Sequence, residues 1–147
     1  MRKNSSTKDL TLTSNERLFF ENKSKFSPKK IANFNPAGFK IYTYHAGFKK
    51  KFDDLLIIIF DKTVNTFCAY SKTSTPSAPI IWDKKNHKGK TKSLIVNSGN
   101  ANAHTGLNGI KIIDNFFKFL CKTLKCKKEE VIVSSTGVIG ELFDPKI

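Results

Sequence analysis

Arginine is almost missing from this 147-residue sequence, where Arg2 and Arg17 are its only examples. The other cations are lysines, and 26 Lys and Arg against 12 Asp and Glu leave a formal net charge of +14. Such a balance first points to nucleic acid or an anionic membrane surface. A DNA or RNA reader, however, depends on the planar guanidinium, which pairs bidentately with phosphates and guanine edges. Here lysine is scattered from end to end among Asn, Ile and Phe. That is the imprint of an A/T-rich coding sequence, so no nucleic-acid partner is expected.

Cysteine is also scarce. Cys68, Cys121 and Cys126 form no CxxC pair and have no histidine at ligand spacing, which argues against a metal site. No ligands for an organic cofactor are evident either. An odd cysteine count suits the reduced thiols of a cytoplasm, and all three read as small residues packed in a core. Long apolar runs are absent, since a membrane span needs about 18 such residues and the longest run here is Leu55 to Phe60. Residues 1–34 are polar and hold no apolar stretch of the kind a secretory signal needs. Asp9, Glu16 and Glu21 speak against a transit peptide. This segment is expected to be a flexible or loosely docked arm.

What is present is enough for a folded domain: 39% hydrophobic residues, including 13 Phe. Organisation begins near Asn35. Pro36 and Gly38 make a turn, and Phe39 to His45 is rich in strand formers. Leu55 to Phe60 is apolar on both faces, which predicts a central strand. A turn is expected over Asp61 to Asn65, then a second strand over Thr66 to Ser71. Ile80-Ile81-Trp82 reads as a short strand, Asp83 to Lys92 as an exposed lysine-rich loop, and Ser93 to Asn97 as a further strand. Ile110, Ile113, Phe117, Leu120 and Leu124 recur at steps of three and four, the stripe of an amphipathic helix. Val131 to Ser134 closes the pattern as a strand. The sum is a mixed, strand-rich α/β domain over residues 35–147, without regular βαβ alternation.

Two segments interrupt an apolar strand with small polar residues at its end. In the first, Val96-Asn97-Ser98-Gly99-Asn100-Ala101-Asn102-Ala103-His104-Thr105-Gly106 runs into the helix. A strand, a Gly-rich turn and a helix can present backbone N–H groups to an anion. The glycines do not fit GxGxxG or a P-loop, and a tight turn with Asn side chains bonding local backbone is the better account of the spacing. The second is Ser134-Ser135-Thr136-Gly137-Val138-Ile139-Gly140. A hydroxyl beside a glycine amide is what an oxyanion hole requires, donors held where negative charge develops in acyl transfer. Alone, Ser-Thr-Gly is also common turn chemistry.

Taken together, NSGNANA-x-TG and STGVIG, in this order and joined by one helix, closely resemble the ornithine acetyltransferase family. Pro36-Ala37-Gly38-Phe39, Ala46-Gly47, the apolar strand at Leu55, Pro76-Ser77-Ala78-Pro79 and the ending Leu142-Phe143-Asp144-Pro145 fall into line. The resemblance covers about residues 35–147. It implies an acyltransferase of arginine biosynthesis that moves acetyl from N-acetylornithine to glutamate through an acetyl-threonine enzyme. Some members also accept acetyl-CoA as donor. That threonine becomes chain-terminal by self-cleavage, and its own α-amine can serve as base. Thr136 and Gly137 match the family's oxyanion hole. The nucleophile and the threonine-led β chain that carries it are expected beyond Ile147, so this chain by itself is expected to be inactive and to work as one part of a hetero-oligomer. An interrupted sheet would leave apolar faces uncovered.

The match is not complete. His104 stands at a variable family position and reads as structural, not as a general base. Cys68 replaces a usual glycine, and the polar arm is longer than the family would suggest. Two other classes compete with the enzyme: a non-catalytic remnant or interaction module that keeps the fold, and, more distantly, a basic nucleic-acid binder.

Overall fold

The computed structural model of the chain describes residues 36–143. The polar arm expected over residues 1–34, and the ending 144–147, lie outside the described residues. Aromatic and β-branched residues build the first strand, β1 (Phe39–Tyr44). β2 (Leu55–Asn65) follows and pairs with β1 antiparallel, Ile41 opposite Ile58. On its other side β2 pairs antiparallel with β3 (Lys90–Asn100), Ile57 opposite Ile95. β3 in turn runs parallel to β4 (Val131–Val138), which makes one four-stranded sheet in the order β1-β2-β3-β4. The apolar run at Leu55 therefore is an inner strand, as its composition predicts.

The sequence reading around this strand needs correction. No turn forms over Asp61 to Asn65, and no strand over Thr66 to Ser71. Instead β2 continues to Asn65, with an irregularity in its pairing between Ile59 and Val64. The Lys92 ammonium donates to the Phe60 carbonyl at 2.7 Å and to the Asp61 carbonyl at 2.9 Å. One charged donor thus serves carbonyls beside the interrupted ladder, and the strand can pass through without turning back.

Ile80-Ile81-Trp82 is helical as well. It lies in α1 (Ala78–Asn86), where Ser77 occupies the N-cap position and proline sits in the first turn. Three apolar residues carry no period of their own, whereas proline in a first helical turn gives up no hydrogen bond. Ala78, Pro79, Trp82, Asp83 and Asn86 are the buried ones, a single helical face. The expected lysine loop shrinks accordingly, because Asp83–Asn86 belong to α1 and Lys90 already opens β3.

The predicted amphipathic stripe is found on α2 (Gly106–Leu124), with Gly109, Ile113, Phe117 and Leu120 buried. Lys125 ends this helix in the left-handed conformation at φ 51°, and the Cys126 amide donates back to the Cys121 carbonyl at 3.1 Å. Ala78, Trp82, Ile95, Ile113, Phe117, Leu120 and Val131 make the core, with Leu55, Ile57 and Val133 packed against it. Both helices therefore lie on one side of the sheet. Cys121 and Cys126 pack beside this core as expected, but Cys68 does not; it is half-buried against His87.

Burial along β3 alternates, Thr91, Ser93, Ile95 and Asn97 being buried with half-buried residues between them. On the opposite face Leu56 pairs with Val96 and Ile58 with Leu94. That apolar face stays half-exposed among the described residues, and Ile41 on β1 is 51% exposed. No helix among the described residues is long and apolar enough to cross a membrane.

Two expectations follow from this packing. Phe117 is 1% exposed and meets Trp82 edge-to-face at 5.3 Å. Phe117→Ala should lower stability by about 3–5 kcal/mol in urea unfolding, since an aromatic side chain leaves a cavity here. The second concerns Asp83, buried on α1, where its Oδ1 accepts the Val133 amide at 3.3 Å. Burial pushes the Asp83 carboxyl up to about 7, against the downward pull of that amide. A folded value above the unfolded one means the folded state holds the extra proton. The stabilisation is full below the unfolded carboxylate range, near 3.9, and is lost as pH rises towards 7. Asp83→Asn keeps the acceptor and removes the titration, so its melting temperature should gain on the parent's between pH 4 and 7 and run parallel above. Parallel curves throughout would contradict the assignment.

Candidate functional site at the ends of β3 and β4

The two segments singled out in the sequence lie side by side. Parallel pairing sets Asn97 beside Ser135, Ser98 beside Thr136 and Gly99 beside Gly137. A parallel pair needs a crossover, and α2 provides it. Past this point the register shifts, with Asn100 facing both Thr136 and Val138. Cross-bonds hold the widened end together: Ala101 N–H to Val138 O at 2.9 Å, Gly140 N–H to Ala103 O at 2.9 Å, and Asn100 Nδ2 to Glu141 O at 3.0 Å.

The glycines are there because the backbones touch. Gly99 has φ 125°, and a Cβ on it would stand 2.7 Å from the Phe48 carbonyl oxygen. Gly137 has φ 131°, and its Cβ would run into the Gly99 carbonyl carbon and come within 2.5 Å of the Asn100 amide nitrogen. Neither a positive φ nor such an approach suits an L side chain. Thr136 and Gly137 themselves are exposed, so the strand end is open to solvent.

The Asn-rich turn is built as a closed hydrogen-bonded unit. Asn97 Nδ2 donates to Asn100 O at 2.7 Å, Asn102 N–H to Asn100 Oδ1 at 2.7 Å, and Asn102 Nδ2 to Gly109 O at 3.2 Å. Thr105 Oγ1 donates to Asn102 Oδ1 at 2.7 Å. All four residues are buried. Apart from Asn100 Nδ2, which reaches Glu141 O, these bonds stay within the turn and the start of α2, which matches the tight-turn account of the sequence. His104 is exposed with φ 57°. It lines an open pocket of about 410 Å³ with Ile81, Leu107 and Ile110, among other residues.

Sequence reasoning missed Asp54, which ties the β1–β2 loop to this end of the sheet. Its side chain is wholly buried. The carboxylate accepts amides from Ala46 at 2.6 Å, Lys49 at 2.8 Å and Gly47 at 3.2 Å, and His45 Nδ1 is 3.5 Å away. Burial alone pushes its carboxyl up. The amides of Ala46 and Lys49, the His45 ring and the Gly47 amide together outweigh that and hold it below the ordinary Asp value. The Asp54 carbonyl also accepts the Ser98 amide at 2.8 Å. Phe48, at the tip of the same loop, meets Phe143 edge-on at 5.1 Å. The one signal available was a charge set directly before the longest apolar run. Among the described residues no group of three or more His, Cys, Asp or Glu could hold a metal ion.

Known proteins resemble this chain in sequence and fold. The ArgJ family model matches residues 40–146. The arginine biosynthesis bifunctional protein ArgJ of Bradyrhizobium diazoefficiens is 37% identical over 124 residues, 82% of this chain and 30% of that protein. The protein of the same name from Bartonella henselae is 38% identical over 121 residues, covering 80% of this chain and 30% of its own length. The chain thus spans about 30% of the length of these relatives. Among solved structures, ArgJ of Bacillus halodurans superposes with a TM-score of 0.68 at 32% identity, over 73% of this chain and 57% of that one. The ornithine acetyltransferase of Mycobacterium tuberculosis, solved in complex with ornithine, gives 0.61 at 26% identity, over 74% and 60%. The mixed α/β sheet, its paired glycine-bearing strand ends and a match through nearly all of the described residues agree: the chain belongs to the ArgJ family.

Proposed function

We propose that this chain supplies the oxyanion-stabilising part of an acetyltransferase of arginine biosynthesis, which moves acetyl from N-acetylornithine to glutamate. The observation that carries the reading is the open strand end where Thr136 and Gly137 lie beside Gly99, in a chain of the ArgJ family. Thr136 Oγ1 and the Gly137 N–H are the two donors. Each acts on the oxygen that becomes negative when a nucleophile adds to the acetyl carbonyl. Backbone contact between Gly137 and Gly99 limits reorganisation of this pair during the reaction, and rigid donors are the effective ones.

The nucleophile in this reading is a chain-terminal threonine of a separate β chain, activated by its own α-amine. It attacks N-acetylornithine, the tetrahedral intermediate collapses with ornithine leaving, and glutamate then takes the acetyl group from the threonine oxygen. Acetyl-CoA is an alternative donor at the same point. The working unit is a hetero-oligomer in the cytoplasm, built on the domain over residues 35–147 with the polar arm over 1–34 as an accessory.

The test is acetyl transfer from N-acetylornithine to glutamate by the complex of this chain with a threonine-led β chain. Thr136→Ala should slow transfer by about a hundredfold or more, the usual effect of losing one oxyanion donor, with the acetyl-enzyme accumulating more slowly. An active complex insensitive to Thr136→Ala would remove that residue from the reaction. A well-formed complex without any transfer would leave the non-catalytic reading of the fold.

A further inference from the structure

The two edges of the sheet are finished differently. α1 lies against β4, and its buried Asp83 accepts the outward Val133 amide at 3.3 Å, so that edge is covered. No strand lies beyond β1 among the described residues. Natural sheets blunt an open edge with proline, a bulge or charge. β1 holds neither proline nor acid, its register with β2 runs unbroken from Phe39 to Tyr44, and Lys40 is its one charge. Asp53, an acid beside it, is tied to the Thr43 hydroxyl at 2.6 Å.

Hydrogen bonding fixes which groups of β1 point outward. The Gly38 carbonyl accepts the Asp61 amide and the Tyr44 carbonyl accepts the Asp54 amide, each at 2.9 Å. In an antiparallel ladder, alternate residues turn both backbone groups to the same neighbour. Gly38, Lys40, Tyr42 and Tyr44 therefore face β2, while the N–H and C=O of Phe39, Ile41 and Thr43 face outward. Side chains follow the pairing as well. Tyr42 and Tyr44 stand opposite Ile57 and Leu55, which pack on the core, so these two and Lys40 lie on the helix side of the sheet. Phe39, Ile41 and Thr43 lie on the half-exposed apolar face, Ile41 opposite Ile58 and Phe39 opposite Phe60.

We propose that β1 is a self-association edge, and that its partner is β1 of a second copy of this chain. The two strands pair antiparallel about a two-fold axis through Ile41, which joins their sheets into one. Residues directly opposite each other must share a face, so the axis passes through a residue. An axis at Tyr42 would leave Phe39 without a partner inside the other strand, whereas an axis at Ile41 engages all the outward residues of both. Ile41 then faces its own counterpart and Phe39 faces Thr43, each pair exchanging both backbone bonds. On the helix side Lys40 stands opposite Tyr42, where the ammonium meets an aromatic ring and the two lysines are kept apart. The strand is thus complementary to itself in hydrogen bonds, apolar contact and charge. With β4 covered, each sheet offers one edge, so association closes at two copies and does not run on as a fibre. The formal charge of +14 on each chain opposes the approach, and salt screens that repulsion. β1 and β4 are opposite edges of the sheet, which keeps the proposal independent of the acetyl-transfer reading.

Sedimentation velocity on the unsubstituted chain should show one step from monomer to dimer as concentration rises, with tighter association at high salt than at low. Hydrogen exchange should slow at the Phe39, Ile41 and Thr43 amides on dimerisation, while those of Lys40, Tyr42 and Tyr44 are protected in both forms. Ile41→Lys sets like charges opposite each other and should weaken the dimer by about tenfold or more. Ile41→Glu should do the same, and an equimolar mixture of the two variants should regain the parent's association. Far-UV circular dichroism checks the fold of each variant. A chain that stays monomeric at every concentration and at high salt would overturn the proposal without reference to any variant. So would a dimer whose Phe39, Ile41 and Thr43 amides exchange as in the monomer, which would put the contact on the apolar face. Folded variants that fail to associate when mixed would refute the axis at Ile41.

Discussion

The contact between Gly99 and Gly137 sets how closely β3 and β4 approach at the end where the sheet opens. Two parallel strands cannot be joined by a tight turn, so the chain between them has to cross over the sheet. α2 makes that crossing, and its apolar stripe seats Ile113, Phe117 and Leu120 in the same core as Ile95 of β3 and Val131 of β4. Packing at one end of the strands and backbone contact at the other therefore hold a single geometry. Thr136 gains its position from both, although it makes neither contact itself.

Buried polar residues hold the loops around this end. Asp54 gathers three loop amides and places the Phe48 carbonyl beside Gly99. Asn97, Asn100, Asn102 and Thr105 satisfy one another and the nearby backbone. A closed network of this kind tolerates little rearrangement, because each member that moves leaves a partner buried and unpaired. The Tyr70 hydroxyl and Trp82 Nε1 stand apart from this pattern, both buried and without a partner among the described residues. The Trp82 N–H is the consequence of filling a core position with a large ring, packed edge-to-face on Phe117.

Where the structure departs from the sequence expectation, either the local signal is too short or a partner far along the chain intervenes. Ile80-Ile81-Trp82 is too short to show a period, and only Ser77 and Pro79 ahead of it mark a helix start. Polar residues from Asp61 to Asn65 look like a turn, but Lys92, about thirty positions onward, serves the carbonyls beside the irregularity and lets the strand continue. Cys68 and His87 are nineteen positions apart and approach only because β2, α1 and β3 bring their segments together. No spacing rule within the chain could have paired them.

The sequence by itself determined the elements whose signal is local: β1, the apolar inner strand, the stripe of α2 and the small residues at the two strand ends. Its paired motifs also identified the family, because NSGNANA-x-TG and STGVIG each record a backbone that must come close to another. Only the tertiary structure decided which backbones those were. Gly99 carries no side chain because Phe48 and Gly137 crowd it, and Asp54 is held at this sheet end because its carboxylate gathers three loop amides while its carbonyl accepts the Ser98 amide from β3. Local preference arises from each residue and its near neighbours along the chain. Close approach and burial arise from segments that meet only after the sheet has formed.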